Sequence, residues 1–470
     1  MKPSRAGIAL LLLLVVAGVY AGAQQWMHGD AVTGLGTIGA GGVVWGLYVV
    51  GDGFFASLAL ASLTLACLWR VLRLRALESA AHLALPLAIA SLLASVVCVL
   101  ADLGRPWDAM INLALVGRPR APFFSTFTLV AGASLCASLI HLGLASRPTW
   151  AQPGRAKVWR VLACGWTASA STRFRRERVD FWLSLALLPL LVVGLVMLGV
   201  VFSARSGRPL WLVRFEVVTF MVSAAAAGGS LLLLALAARK QVSAVLGRVV
   251  GMLVVLTVFL VVLGQILALH APGLALQRYA QALLVGPWSV LFWTELVLFF
   301  VGAMIVIATS WRGGVSRLWT AIGAALVCSA VFLHRFLLLI VWQTHGQGLD
   351  WPVGVYHPTW VEGVVVLGIA AAAVLAFLLL LQACPVPMRD PGPASPPADK
   401  PRAWLAWITL LLGSSVAAAG LVLSAGFGSK PFLDPVLDGA PLFFLGGLIL
   451  MLSAALIYEL YPEPPRANRS

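Results

Sequence analysis

The sequence has very little charge: only 10% of its 470 residues are Asp, Glu, Lys or Arg, whereas 61% are hydrophobic and the mean hydropathy is +0.98. Soluble domains carry about 25% charged residues, so a soluble fold is excluded. Unbroken apolar runs such as LVVLTVFLVVLGQILAL lack the alternating polarity of β-barrel strands. The sequence therefore predicts an all-α, polytopic helical membrane protein.

Cysteine is also scarce, and the six residues lie singly with no CxxC or CxxCH pair. A zinc site, an iron–sulfur cluster and a c-type haem are therefore not expected. His82 and His141 fall at the inner ends of neighbouring spans, which would suit one haem, but two histidines at the membrane interface are the favoured interpretation. We expect no metal and no redox cofactor in this chain, so a partner must supply or accept electrons.

Apolar runs separated by charge, Pro and Gly predict twelve spans. They are residues 7–22, 43–68, 82–101, 122–144, 181–202, 216–238, 249–270, 287–309, 318–342, 359–383, 404–425 and 441–460. The first run also fits a cleavable signal peptide. The Pro-rich stretch 386–403 predicts a cytoplasmic linker between a ten-span body (1–385) and a two-span C-terminal extension (404–470).

The basic residues indicate an orientation. With a cytoplasmic N-terminus, 23 Lys and Arg residues fall in inner segments and 8 in outer ones, as the positive-inside rule requires of a bacterial inner-membrane protein. The net charge of +15 therefore indicates topology and contact with the lipid bilayer rather than nucleic-acid binding. The segment 146–180, with eight basic residues, is predicted to be a cytoplasmic loop that contacts anionic lipid.

Ionisable side chains within spans are costly, about 2.5–3.5 kcal/mol each at a helix centre, and usually face a bundle interior or a wet cavity. All of those in this chain fall in the outer half of the predicted membrane: Asp52, Asp102, Glu216, Glu295, His334, Arg335 and Glu362. Taken singly, each can be a polar contact between helices. Together with Trp45 and Trp107, they suggest an apolar cleft with a few polar groups, which is what a quinone needs.

The order of six motifs resembles the NrfD/PsrC family of membrane subunits, and within it the ten-span, HybB-like branch. They are WGLYVVGD, ADLGRPWD, a Glu at the start of a later span (Glu216), SVLFWTE, HRF and YHPTWVE. The resemblance covers about residues 1–385. It implies two four-helix bundles plus flanking helices, and a quinone site, for menaquinone or ubiquinone, near the outer face.

The resemblance also implies partners and site residues. A ferredoxin-like subunit with several iron–sulfur clusters would dock on the outer face, with a hydrogenase, molybdopterin or multihaem subunit beyond it, so this chain would be quinone-reactive but not catalytic alone. The implied proton-handling carboxylates are Asp52 and Asp102. The implied quinone-site residues are Trp45, Arg105, Trp107, Glu216, Glu295, His334, Arg335 and Glu362. The chain departs from the family at Phe123 to Thr128, FFSTFT, where relatives often carry a Glu.

Two other functions stay open at this point. A proton or ion transporter could use the same carboxylates, but the inner half of the spans lacks matching ionisable groups, and a relay needs both halves. A purely structural membrane anchor for an extracytoplasmic redox enzyme is kept open by the missing Glu of FFSTFT.

Overall fold

The structure is a computed structural model that describes most of the chain up to residue 384. It covers residues 4–36, 42–72, 77–103, 122–152, 154, 157–163, 170–203, 210–241, 243–271, 274–311, 316–345 and 356–384, with a few residues between 408 and 416. The linker 386–403 and nearly all of the extension 404–470 lie outside the described residues, as do Arg105 and Trp107.

Twelve α-helices make up the described part of the chain. They are α1 (Arg5–His28), α2 (Leu47–Leu72), α3 (Glu78–Asp102), α4 (Pro122–Trp150), α5 (Lys157–Leu162), α6 (Ala170–Ser203), α7 (Leu210–Ala238), α8 (Ala244–Leu269), α9 (Leu274–Leu284), α10 (Ser289–Trp311), α11 (Arg317–His345) and α12 (Trp360–Ala383). A 3₁₀ turn, Gly29–Val32, follows α1. No β-strand occurs among the described residues, where Leu35 and Val43 form a single bridge.

Ten of these helices are long and apolar enough to cross a membrane, counting the described residues alone. Their spanning stretches are 21 to 29 residues long, and a hydrocarbon core about 30 Å thick needs roughly 20. The predicted all-α, multi-pass membrane fold is confirmed, and the ten spans predicted before residue 385 each correspond to one helix.

The prediction of a loop over residues 146–180 was wrong. Helix α4 continues to Trp150, α5 covers Lys157–Leu162, and α6 begins at Ala170. The start of α6 was missed because it contains the basic residues between 173 and 178. A prediction from hydropathy places the end of a span at such charged residues. A helix can nevertheless extend beyond the hydrocarbon region, where Arg and Lys side chains reach the headgroups.

The chain divides into two compact units. Unit one comprises residues 1–62, 76–106 and 195–379, and unit two comprises 63–75, 107–194 and 380–470. In unit one, α7, α8, α10 and α11 form a four-helix bundle in which each helix contacts two neighbours around the ring. In unit two, the Trp150 indole donates to the Ala383 carbonyl at 2.9 Å, and Arg147 Nε donates to the Ala163 carbonyl at 3.0 Å.

Helix α1 meets α12 at a pair of glycines. A Cβ on Gly18 would lie 2.8 Å from the Gly368 Cα, and a Cβ on Gly368 would lie 2.7 Å from the Gly18 Cα. The two backbones therefore touch at this crossing, which only glycine permits. Gly18 and Ala21 are the buried residues of α1, so the attachment of α1 depends on this crossing.

We therefore expect Gly368→Ala to weaken the attachment of α1, because its methyl group has no room. The free energy of unfolding should fall by about 1–3 kcal/mol, the usual cost of overpacking. Gly363→Ala on the same helix is the matched control, since a Cβ there meets nothing within 4 Å. Thermal unfolding of the detergent-solubilised protein measures both variants, and equal midpoints would contradict the tight crossing.

Candidate functional site

Two groups of side chains, each built around buried polar residues, lie within unit one. The first, the Asp52 cluster, comprises Gln25, Tyr48, Asp52, Ser95 and Asp102 on α1, α2 and α3. The second, the Arg335 cluster, comprises Phe220, Ser223, Glu295, His334 and Arg335 on α7, α10 and α11. Of the predicted site residues, Asp52 and Asp102 belong to the first group and Glu295, His334 and Arg335 to the second, whereas Trp45, Glu216 and Glu362 belong to neither.

Asp52 is enclosed by the helices of unit one. It lies in the second turn of α2, is 4% exposed, and accepts a hydrogen bond of 2.5 Å from the Ser95 hydroxyl of α3. The neighbouring Gly51 packs against Cys98 on the same face of α3, with the Sγ atom 3.0 Å from where a Cβ would be. Apolar surroundings disfavour the ionised form of such a carboxylate, and one hydroxyl donor offsets only part of that cost.

Asp102, the last residue of α3, is only partly buried. Its Oδ1 atom is enclosed but has no hydrogen-bond partner. The other acidic groups close enough to act on it electrostatically are Asp30, Asp52 and Glu362. Asp102 therefore offers an unused acceptor at the end of α3, about two helical turns beyond Ser95, the partner of Asp52.

Tyr48 and Gln25 complete this cluster, although the sequence analysis named neither as a site residue: Tyr48 lies within the motif WGLYVVGD, and Gln25 lies in no motif. The Tyr48 hydroxyl donates to Gln25 Oε1 at 2.7 Å. Gln25 Nε2 donates in turn to the Ala101 carbonyl and to Asp30 Oδ1, each at 3.2 Å. Tyr48 is one helical turn before Asp52, so the two side chains lie on the same face of α2. The amide of Gln25 thereby joins the ends of α1 and α3 to the start of α2.

Glu362 has no exposed surface, and its carboxylate accepts hydrogen bonds from neighbouring protein groups. It forms a capping box with Thr359: the Thr359 amide donates to Glu362 Oε2 at 3.0 Å, and the Glu362 amide donates to Thr359 Oγ1 at 3.4 Å. The Gly34 amide also donates to Oε2, at 2.9 Å, and the Tyr356 hydroxyl donates to Oε1 at 2.7 Å. Glu362 therefore holds the α1–α2 connection against the start of α12.

Trp45 is fixed by a side chain that the sequence analysis missed. Gln343 on α11 accepts from the amides of Val44 and Trp45, each at 3.1 Å, and donates to the Trp45 carbonyl at 2.9 Å. The Leu47 amide, at the start of α2, donates to the Tyr356 hydroxyl at 2.8 Å. These bonds join residues about 300 positions apart, and no local pattern in the sequence indicates them.

The Arg335 cluster has a different composition. Glu295 is 1% exposed, and its Oε1 atom lies 2.9 Å from His334 Nδ1. Arg335 has no exposed surface, and its guanidinium lies 3.5 Å from the centre of the Phe220 ring. Glu216, half-buried on α7, acts on Arg335 electrostatically.

Aromatic rings lie between the two clusters. A Cβ on Gly53 would collide with the Phe202 ring, so α2 and α6 are in direct contact there. The ring centres of Phe202 and Phe220 are 5.6 Å apart, and the guanidinium of Arg335 lies over the face of the Phe220 ring. Two phenylalanines that the sequence analysis did not name, Phe202 and Phe220, thus supply apolar surface between the clusters.

Unit two contains a buried acid–base pair that the sequence analysis placed at the membrane surface. His141 on α4 has no exposed surface, and its Nδ1 atom lies 3.4 Å from Asp180 Oδ1 on α6. The contact with α6 was not predicted, because the sequence analysis assigned the residues up to Asp180 to a loop. His82, within unit one, lies 3.9 Å from Glu78 one turn earlier on α3. Across the described ranges, no three His, Cys, Asp or Glu side chains are grouped as metal ligands.

The Tyr356 bonds can be tested by mutation. Burial, together with the charge of Glu362, raises the pKa of Tyr356 well above its usual range, so the hydroxyl stays a donor. Tyr356→Phe should lower the free energy of unfolding by about 1–3 kcal/mol, because it leaves the Leu47 amide unpaired. Tyr20→Phe is the control, since Tyr20 is 61% exposed on α1. Thermal unfolding in detergent should shift only in the first variant; equal shifts would assign the network no stabilising role.

Comparison with known proteins identifies the family. Residues 37–345 match the family described as "Polysulphide reductase, NrfD". A Halobacterium salinarum protein, described as a candidate membrane subunit of a dimethyl sulfoxide reductase, is 26% identical over 223 residues, which are 47% of this chain and 48% of the relative. The match thus spans about half the length of that relative. Because the family match covers well over half of the chain and includes Asp52, Asp102 and the Arg335 cluster, this protein belongs to the polysulphide reductase NrfD family.

Proposed function

We propose that this chain is the quinone-interacting membrane subunit of a respiratory oxidoreductase complex. Family membership supports a membrane subunit of a redox complex, and the relative's description names such a subunit. The observation that carries the proposal is the Asp52 cluster: a buried carboxylate with one hydroxyl donor from α3, and a second carboxylate at the end of α3 with an enclosed, unused oxygen. We assign the chain to the ten-span, HybB-like branch on its ten candidate spans among the described residues.

The chemistry needs groups of this kind. Interconversion of a quinone and a quinol moves protons together with electrons, so the site requires a group that can accept or give a proton beside the ring oxygens. A carboxylate disfavoured as an ion by its apolar surroundings suits that task. Asp52 or Asp102 would exchange the proton. Arg105 and Trp107 remain proposed contacts of the ring, as predicted from their motif.

The electrons would pass to or from a ferredoxin-like iron–sulfur subunit. On the orientation given by the basic residues, with the N-terminus in the cytoplasm, this partner would dock at the periplasmic face of the inner membrane. The Asp52 cluster is at the same end of unit one, where α1 and α3 finish and α2 begins. The quinone, menaquinone or ubiquinone, is a substrate, and a further catalytic subunit would lie beyond the iron–sulfur partner.

The proposal predicts that Asp52→Asn uncouples the complex from quinone. Quinone-linked turnover of the intact complex in native membranes should fall about a hundred-fold, the usual contribution of a positioned acid or base. Activity with an artificial donor or acceptor that reacts with the soluble subunits should stay unchanged. Glu78→Gln is the control, because Glu78 is at the other end of α3.

Unchanged quinone-linked turnover in both Asp52→Asn and Asp102→Asn would instead support the purely structural anchor. In that case the complex would still assemble, and the membrane subunit would have no part in the chemistry.

Proton-coupled transport is a second candidate function, and the buried His141–Asp180 pair favours it. The argument against a transporter was that one half of the spans lacked ionisable groups, and His141 and Asp180 weaken that argument.

This candidate predicts potential-driven proton uptake by proteoliposomes containing the protein, reported by an enclosed pH dye. His141→Phe should abolish the uptake, and His28→Phe, at the exposed end of α1, should not. Uptake that survives His141→Phe would exclude this route.

A further inference from the structure

Helix α5 leaves most of its apolar side chains uncovered. Val158 and Val161 are each 67% exposed, and Leu162 is 47% exposed. The three residues have the spacing i, i+3 and i+4, so they share one face of the helix, within an arc of about 100°. Apolar side chains grouped on one exposed face indicate a membrane or a protein surface that covers them.

The other side chains of α5 are basic or packed against the protein. Lys157 and Arg160 are exposed, and both lie beside one edge of the apolar face. Trp159 lies beyond the opposite edge, and its ring centre is 5.3 Å from that of Trp150, the last residue of α4. The contact with Trp150 therefore fixes which side of α5 faces away from the protein.

The contacts of α5 place it at the level where membrane spans end. Trp150 is the last residue of the spanning stretch Val130–Trp150, and its indole donates to the carbonyl of Ala383, the last residue of α12. Ala163, which follows α5, accepts from Arg147 of α4 at 3.0 Å. Helix α5 is therefore attached to the ends of two spans, at the depth of the lipid headgroups.

The charge around α5 favours an anionic surface. The seven Lys and Arg residues of the segment 147–176 have no acidic residue among them. Basic side chains beside an apolar face are typical of helices that lie on anionic membranes. On the orientation predicted from the basic residues, α5 faces the cytoplasmic leaflet, which carries anionic phospholipid. Position and charge therefore both favour lipid as the partner.

We propose that α5 is a membrane-surface helix that binds anionic phospholipid. Val158, Val161 and Leu162 enter the edge of the acyl-chain region, while Lys157 and Arg160 donate to the phosphate oxygens beside them. A cytoplasmic protein that covered the same face would be a different partner, and the experiment distinguishes the two. The lipid site does not depend on the proposed quinone function.

Photocrosslinking identifies what covers the apolar face. The photoreactive p-benzoylphenylalanine replaces Val161 in the full chain, which is placed in nanodiscs of equal parts phosphatidylglycerol and phosphatidylcholine. After irradiation, mass spectrometry should show lipid adducts with phosphatidylglycerol in excess by about five- to thirty-fold, as expected for one or two basic side chains at the surface. No lipid adduct, or equal amounts of the two lipids, would overturn the proposal.

Substitutions test whether the two basic side chains select the lipid. Lys157→Gln combined with Arg160→Gln should return the ratio of the two adducts at position 161 to near one. Lys240→Gln, which removes an exposed cation from unit one, is the matched control and should leave the ratio unchanged. The same probe at Val255, which is 54% exposed in the middle of α8, should give equal adducts. An unchanged ratio in the double variant would contradict the assigned phosphate contacts.

The same probe in native membranes tests the alternative partner. With the intact complex present, irradiation should still give lipid adducts at position 161. A crosslinked polypeptide in place of the lipid would show that a protein covers α5 and would overturn the proposal. Because none of these measurements uses a quinone, their outcome is separate from the effect of Asp52→Asn on quinone turnover.

Discussion

The absence of water from the hydrocarbon region is the constraint on which this structure depends. Each polar group placed there must find its partner within the protein, since an unpaired group costs several kcal/mol. Glu362 meets this requirement fully: it accepts from Gly34, Tyr356 and the first turn of its own helix. Asp102 and Arg335 do not, because each keeps an enclosed atom without a partner. Glu362 is thus a structural residue, whereas Asp102 and Arg335 keep capacity for further hydrogen bonds.

The same criterion assigns roles that residue type alone could not. Glu362 and Asp52 are both buried acids at the same end of unit one. Both lie in sequence motifs that resemble those of the same protein family. Glu362 has several donors, including two backbone amides, and fixes a connection between helices. Asp52 has a single side-chain donor, the Ser95 hydroxyl. The bonds of Glu362 are those of a structural group, so Asp52 and not Glu362 is the acid to which we assign proton exchange in the proposed function.

The sequence was sufficient to predict the ten spans, because each is a run of about 20 apolar residues and the bilayer thickness sets that length. It also contained the capping box at Thr359 and Glu362, although the motif was read as part of a quinone site. It could not predict the bonds of Gln343 to Trp45 or of Gly34 to Glu362, since they join distant segments. Asp180 was misplaced because the charges preceding it conceal the start of α6.

Gly53 has a consequence for motion. Gly53 contacts the Phe202 ring so closely that a methyl group would not fit between them. Phe202 packs against Phe220, and the Phe220 ring packs against the guanidinium of Arg335. A rotation of α2 that displaced Asp52 would press first on Phe202 and then, through rigid rings, on Arg335. The α2 segment that carries Asp52 and the guanidinium of Arg335 are therefore joined by a continuous series of packed rings, which leaves α2 little room to rotate at Gly53.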